Sequence, residues 1–68
     1  MQEVKITGEF IKLGQFLKFV SVIDSGAQAK EFLMDNEVTV NGVREDRRGR
    51  KLYKDDKVCA LNYEFIIK

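Results

Sequence analysis

The residues in this sequence best suited to chemistry are clustered guanidinium groups. All four arginines lie between Arg44 and Arg50, and the run Arg47-Arg48-Gly49-Arg50-Lys51 contains no acid. A guanidinium group donates paired hydrogen bonds to a phosphate, and a loop that contains glycine can follow an irregular phosphate backbone. The run therefore indicates an anion-binding loop. The other interpretation is a solvated loop whose arginines pair with nearby acids.

A second group of polar side chains falls on one ridge of a predicted helix. Lys12, Gln15 and Phe19 are spaced i, i+3 and i+7. Lys30 lies on the helix that follows. A cation and an amide on one ridge can contact phosphates or ribose hydroxyls. The ridge and the arginine run together predict one basic surface, although each residue alone has a plain structural explanation.

Enzymatic chemistry has little support in this composition. The chain has no histidine, the side chain most often used as a general acid or base near neutral pH. The acid pairs Glu45-Asp46 and Asp55-Asp56 are better explained by turns and ion pairs, and Ser25 has no candidate base. With one cysteine and no histidine, the chain lacks the ligands of an ordinary zinc site. We therefore expect no catalysis, no metal and no cofactor.

Length and composition bound the architecture. The 68 residues predict one domain, residues 1–68, with a small core and no deep cleft. No segment approaches the roughly 18 apolar residues of a membrane span. Cys59 lies in the apolar run Val58-Cys59-Ala60-Leu61 and is predicted to be a small core residue. These features fit a cytoplasmic protein with neither a membrane nor a small-molecule partner.

Two short helices are predicted to position the candidate residues. Apolar residues recur with helical spacing from Leu13 to Val20, and Gly14 weakens this first helix by up to about 1 kcal/mol, so packing must hold it. Ser25 followed by Gln28 is the signature of a capping box for a second helix. Asn36 is expected to end that helix in the left-handed conformation.

Strands are predicted on both sides of the helices. Gln2 to Thr7 and Val38 to Val40 alternate as strands, and Asn41-Gly42 is a strong two-residue hairpin signal. Arg44 to Lys54 is predicted to be a long, exposed connection that carries the arginines. The two β-like runs that follow, Lys57 to Leu61 and Glu64 to Ile67, predict either a hairpin around Asn62-Tyr63 or one long bent strand.

Four motifs occur in a fixed order along the chain. They are Lys12-Leu13-Gly14-Gln15-Phe16-Leu17, Ser25-Gly26-Ala27-Gln28-Ala29-Lys30-Glu31-Phe32-Leu33, Asn36-Glu37-Val38-Thr39-Val40-Asn41-Gly42 and Tyr53-Lys54-Asp55-Asp56-Lys57-Val58. Together they resemble the RNA-binding domain of small-subunit ribosomal protein four, the alpha-L motif, in its short, stand-alone bacterial form. The resemblance implies an α+β fold with two short helices packed on a small, mostly antiparallel sheet. It also implies an RNA-binding face formed by the helices and the loop after the first hairpin.

The resemblance extends to particular positions. Gly14 and Gly26 stand where that family commonly has an acid and an arginine. We therefore expect the helix face to bind more weakly than usual, and the arginine run to compensate. The candidate RNA-binding residues are Lys12, Gln15, Ser25, Gln28, Lys30, Asn41, Arg44, Arg47, Arg48, Arg50 and Lys51.

The function that these features predict is recognition of structured RNA, either ribosomal or transfer RNA, without catalysis. The alternative is an assembly module whose arginines meet an acidic protein partner. Binding of single-stranded DNA is a weaker hypothesis, because the chain has no repeated aromatic platform. The sequence leaves the oligomeric state open.

Overall fold

The chain forms seven short strands and two helices in the computed structural model, which describes residues 1–68. The strands are β1 (Gln2–Val4), β2 (Ile11–Lys12), β3 (Val38–Val40), β4 (Val43–Arg44), β5 (Lys51–Leu52), β6 (Lys57–Ala60) and β7 (Tyr63–Ile67). The helices are α1 (Leu13–Phe19) and α2 (Ala29–Asp35), and a 3-10 turn (Gly26–Gln28) leads into α2. The predicted α+β class is confirmed.

Five of the strands form one sheet in the order β1-β7-β6-β3-β4. All pairs in this sheet are antiparallel except β1 with β7, which are parallel. The other two strands, β2 and β5, form a separate antiparallel ribbon with Ile11 opposite Leu52 and Lys12 opposite Lys51. The expected small, mostly antiparallel sheet is therefore present, and the ribbon is an addition that the sequence patterns did not predict.

The hydrophobic core lies between the helices and one face of the five-stranded sheet. α1 contributes Leu13, Phe16 and Leu17, all fully buried, and the ring of Phe16 meets Phe65 of β7 edge to face at 5.4 Å. Such aromatic pairs add about 0.5–1.5 kcal/mol to the gain from burial. The remaining members of the core are Val4, Ile23, Ala29, Leu33, Val38, Val40, Leu52, Val58, Ala60 and Ile67.

Local turn chemistry sets the two hairpins. Asn41 and Gly42 both have positive φ, 54° and 85°, as the two-residue turn between β3 and β4 requires. The Asn41 side chain also ties this turn to a later one, because its amide donates to Asp56 at 3.0 Å and its oxygen accepts from the backbone of Lys57 at 2.9 Å. The second hairpin turns at Leu61-Asn62, since Ala60 pairs with Tyr63.

Two predictions from local sequence were wrong. Cys59 is exposed, because strand side chains alternate and Val58 and Ala60 on either side of it point into the core. Asn36 is extended, with φ of −131°, rather than left-handed. Its backbone and side-chain nitrogens both donate to the carbonyl of Phe32, which ends α2 while the chain continues directly into β3.

The segment from Arg44 to Lys54 is not the simple exposed connection that was predicted. It includes all of β5, and Leu52 within that strand is fully buried in the core. Glu45 is also buried. Burial of one leucine side chain is worth about 1.5–3 kcal/mol, so this segment is anchored at Leu52 and is not free to follow any ligand.

Candidate nucleic-acid interface

The arginine loop, residues 45–50 between β4 and β5, is attached to the N-terminus of α1. The backbone nitrogen of Leu13 donates to the carbonyl of Arg50 at 2.8 Å, and that of Gly14 donates to the carbonyl of Arg48 at 2.9 Å. The first N–H groups of a helix have no partner within the helix, so the loop satisfies two of them. Loop and helix therefore form one rigid unit.

Gly14 makes this close attachment possible. A Cβ atom at position 14 would lie 3.2 Å from the Cβ of Ala29 and 3.3 Å from the Cβ of Arg48, which is tighter than nearly all real contacts of this kind. The glycine that weakens α1 by propensity thus lets α1, α2 and the loop meet. Gly26, by contrast, has open space where a side chain would be.

Glu45 holds the arginine loop in shape. Its carboxylate accepts from Nε and Nη2 of Arg47, both at 2.9 Å, and from Nη1 of Arg50 at 2.8 Å. The hydrogen bonds from the Arg47 side chain lower the pKa of Glu45 to about 2 against the opposing effect of burial, and Arg50 adds to the lowering. The ion pairs of Glu45 with Arg47 and with Arg50 are the two salt bridges of the structure. Two of the four arginines therefore stabilise the conformation of the loop.

An open groove of about 640 Å³ lies between α1, the start of α2 and the arginine loop. We call it the basic groove. Three exposed cations line it, Lys12, Lys18 and Arg48, and none of them has a carboxylate within 4.0 Å. The other lining residues are Ile11, Gly14, Gln15, Phe19, Gly26, Ala29 and Gly49.

A fourth cation stands next to the groove. Lys51 of β5 is directly opposite Lys12 of β2, and its ammonium lies 4.7 Å from the centre of the Phe10 ring. Like charges directly opposite each other on paired strands are destabilising. A bound anion between Lys12 and Lys51 would relieve this repulsion.

The structure brings together only part of the candidate set. Lys12, Gln15 and Arg48 line the basic groove, and Lys51 stands beside it. Arg47 and Arg50 flank the groove but are bound by Glu45, although each guanidinium keeps N–H groups free for a ligand.

The remaining candidates lie elsewhere. Ser25 and Gln28 cap the entry to α2, where the side-chain oxygen of Gln28 accepts from the backbone of Ser25 at 3.2 Å. Lys30 lies outside the groove, beside Glu31 and Met34. The other two belong to the first hairpin, Asn41 in its turn and Arg44 opposite Thr39 on the outer face of the sheet, away from the helices.

Lys18 is a groove residue that sequence reasoning missed. It follows Gln15 by three positions and precedes Phe19, so an extension of the ridge that begins at Lys12 would have included it.

The side of the molecule around α2 has the opposite charge. Asp24, Glu31 and Asp35 line a separate depression there.

The structure contains no cluster of three or more histidine, cysteine or acidic side chains able to hold a metal ion. Neither helix combines the length and the hydropathy needed to cross a membrane. The cations, the Gln15 amide and the exposed ring of Phe19 in the basic groove form a surface that can bind a polyanion.

Comparison with known proteins places this geometry in a family. A family model described as the S4 domain matches residues 4–68, and the chain therefore belongs to the S4 domain family, which confirms the resemblance. The probable ribosome maturation protein RlbA of Bacillus subtilis (strain 168) is 54% identical over 55 residues. The matched part covers 81% of this chain and 78% of that relative. No solved structure matches the chain significantly.

Proposed function

We propose that residues 1–68 act as one non-catalytic RNA-binding module, which recognises folded RNA through the basic groove. The observation that carries the proposal is the convergence of three unpaired cations, Lys12, Lys18 and Arg48, on one preorganised surface. Phosphate contacts dominate the affinity of proteins for nucleic acids. Because the backbone that carries these cations is already ordered, binding does not have to order it, which favours recognition of a shaped RNA backbone.

The relative supports a proposal about the class of RNA. A probable ribosome maturation protein shares more than half of the aligned residues, so we infer that the ligand is ribosomal RNA during assembly of the ribosome, in the cytoplasm. Transfer RNA, the other predicted ligand, has no such support from a relative.

An acidic protein partner is a weaker candidate. That hypothesis relied on the arginine run, and Arg47 and Arg50 already share an internal carboxylate, Glu45. The cations that line the groove, Lys12, Lys18 and Arg48, have no such carboxylate partner, and they lie in a depression between elements.

The test compares two triple variants that remove equal charge from opposite faces. Lys12→Ala/Lys18→Ala/Arg48→Ala removes the cations of the basic groove, and Arg44→Ala/Lys57→Ala/Lys68→Ala removes three from the outer face of the sheet. Both have the same net charge, so a difference between them reports position and not long-range attraction. Affinity for a ribosomal RNA hairpin and for a DNA hairpin of equal length is measured across a salt series.

The proposal predicts that the groove variant weakens RNA binding and lowers the salt slope by about 2–3, which is roughly 0.7–0.9 for each lost phosphate contact. The outer-face variant should keep nearly the wild-type slope, and wild type should prefer RNA to DNA. Equal losses in the two variants would contradict the groove as the site. Wild-type binding no tighter than about 10⁻⁴ M to either hairpin would contradict RNA recognition itself.

A further inference from the structure

Phe19 is an aromatic side chain that the core does not use. The apolar stripe of α1 ends in the fully buried side chains of Phe16 and Leu17, whereas Phe19 at the end of the same helix is 62% exposed. A ring of this size can remove about 150–250 Å² from water when it is buried. Its exposure is therefore a feature that the stability of the fold does not explain.

The ring of Phe19 also differs from the other exposed aromatic rings in having no aromatic or cationic partner. Four aromatic side chains are exposed, and three of them already have partners: Phe10 and Tyr53 contact each other with centroids 6.0 Å apart, and Tyr63 meets Phe65 at 6.1 Å. Lys51 lies over the ring of Phe10 as well. Phe19 has no aromatic partner and no cation over its ring, which leaves it available to a ligand.

Phe19 stands on the border between two depressions. On one side it lines the basic groove with Lys12 and Lys18, and on the other it lines an apolar depression of about 250 Å³ with Ile6 and Phe10. Ile11 is part of both. A flat apolar group placed here would lie beside cations that can hold the phosphates attached to it.

We propose that Phe19 is a stacking platform for one unpaired base of the bound RNA, whose neighbouring phosphates occupy the basic groove. The inference rests on the proposed function and narrows its ligand to folded RNA with an extruded or bulged nucleotide. Sequence-specific RNA recognition mostly targets unstacked bases that stack on aromatic side chains. Because every base has a π-face, the platform itself is expected to tolerate any base.

The test uses three RNA hairpins that differ at one position: a single bulged adenosine, an abasic residue at the same bulge, and an uninterrupted stem. Wild type should bind the bulged adenosine about 5- to 20-fold more tightly than the abasic bulge, within the range measured for stacking of one base on one ring. Phe19→Ala should remove this preference and leave affinity for the abasic hairpin within about 2-fold. Phe19→Tyr, which keeps the ring, should retain the preference.

The matched control is Met34→Ala, because Met34 is exposed to a similar degree, 68%, but lies on α2 outside the groove. This variant should leave all three affinities unchanged. The stacking proposal is overturned if wild type shows no preference for the bulged adenosine, or if Phe19→Ala weakens all three hairpins equally. If the groove triple variant still loses RNA affinity in that case, the proposed function stands without the platform. If wild type binds none of the hairpins, both fail.

Discussion

The two helices of this protein have equal length and similar roles in the core, yet their solvent-facing sides differ in charge. α1 exposes Lys18 and Phe19, follows directly after Lys12 and contains no acid. α2 exposes two acids, Glu31 and Asp35, and one cation. Because both helices pack on the same sheet, the core imposes no such difference. Under the proposed function, RNA would approach from the α1 side and would be repelled by the acids of α2.

The arginine loop reinforces this asymmetry. It is hydrogen-bonded to the N-terminus of α1, and Glu45 sets its shape. The net charge of the chain is only +1, so a uniform distribution would give little attraction for RNA. The proposed RNA-binding surface therefore depends on the segregation of charge and not on its sum.

Charge reversal on α1 is expected to have the largest effect. Lys12→Glu/Lys18→Glu should weaken RNA binding by about 100-fold, because two phosphate contacts are lost and two repulsive charges face the backbone. The control Lys57→Glu/Lys68→Glu changes the net charge equally on the outer face of the sheet and should cost about 5-fold at most. Fluorescence anisotropy with a labelled ribosomal RNA hairpin measures both, and comparable losses would contradict the asymmetry.

Substitution of the two glycines at the starts of the helical regions should change the free energy of unfolding in opposite directions. Gly14→Val is expected to destabilise the protein by about 1–3 kcal/mol, because the new side chain has no room between Ala29 and Arg48. Gly26→Ala should stabilise it by about 0.4–1 kcal/mol, since the site is open and alanine restricts the unfolded chain. Urea unfolding at pH 7 measures both, and a tolerated Gly14→Val would show that the junction of α1, α2 and the loop is not tightly packed.

Glu45 is expected to make the folding stability of the protein depend on pH in the acid range. Its pKa is lowered from 4.5 to about 2 in the folded state, so its contribution to stability is complete above about pH 5 and is lost as the pH falls toward 2. Glu45→Gln should cost about 1–2 kcal/mol at pH 7, less than the full pKa shift implies because Arg47 is largely exposed and water screens the pair.

The measurement is the urea midpoint of wild type and Glu45→Gln at pH 7 and again at pH 2.5. The difference should shrink to about a quarter of its value at pH 7, because at pH 2.5 Glu45 is protonated in the unfolded chain but still partly ionised in the fold. A difference that persists unchanged would show that Glu45 acts through packing and not through its charge.

Addition of a cation in the 3-10 turn before α2 should have the smallest effect on RNA affinity. This effect is expected to be an increase. Gly26→Arg adds a guanidinium at the edge of the basic groove, at a position where an added Cβ atom has no neighbour within 4 Å. We expect RNA to bind about 3- to 5-fold more tightly, which corresponds to one further phosphate contact. Gly26→Gln is the neutral control for the added bulk, and an equal gain in that variant would show that charge is not the cause.

The sequence predicted those parts of the fold that depend on neighbours along the chain. The Asn41-Gly42 turn, the stripe of α1 and the Ser25 to Gln28 cap are all local, and all three are present. The burial of Glu45 was not predictable in the same way, because it depends on how the loop closes over α1. Strand alternation accounts for the exposure of Cys59. The run of apolar residues around it hid this alternation in the sequence.

The candidate site residues also fall into two groups, those predictable from local spacing and those whose position depends on the tertiary fold. Lys12 and Gln15 share a helix ridge, which spacing alone revealed, whereas the place of Arg48 in the groove depends on two backbone hydrogen bonds to α1. Arg47 and Arg50 looked equivalent to Arg48 in the sequence. Only the folded loop separates the arginines that hold its shape from the one that faces the groove.

The most direct test of the central claim is an NMR titration of the isotope-labelled protein with a ribosomal RNA hairpin. If RNA binds in the basic groove, backbone amide signals from Lys12 to Phe19 and at Arg48 and Gly49 should shift on binding. Signals from the outer face of the sheet, such as those of Arg44 and Cys59, should not change. Shifts concentrated on that outer face, or around Glu31 and Asp35 of α2, would contradict the assignment of the basic groove as the RNA-binding surface.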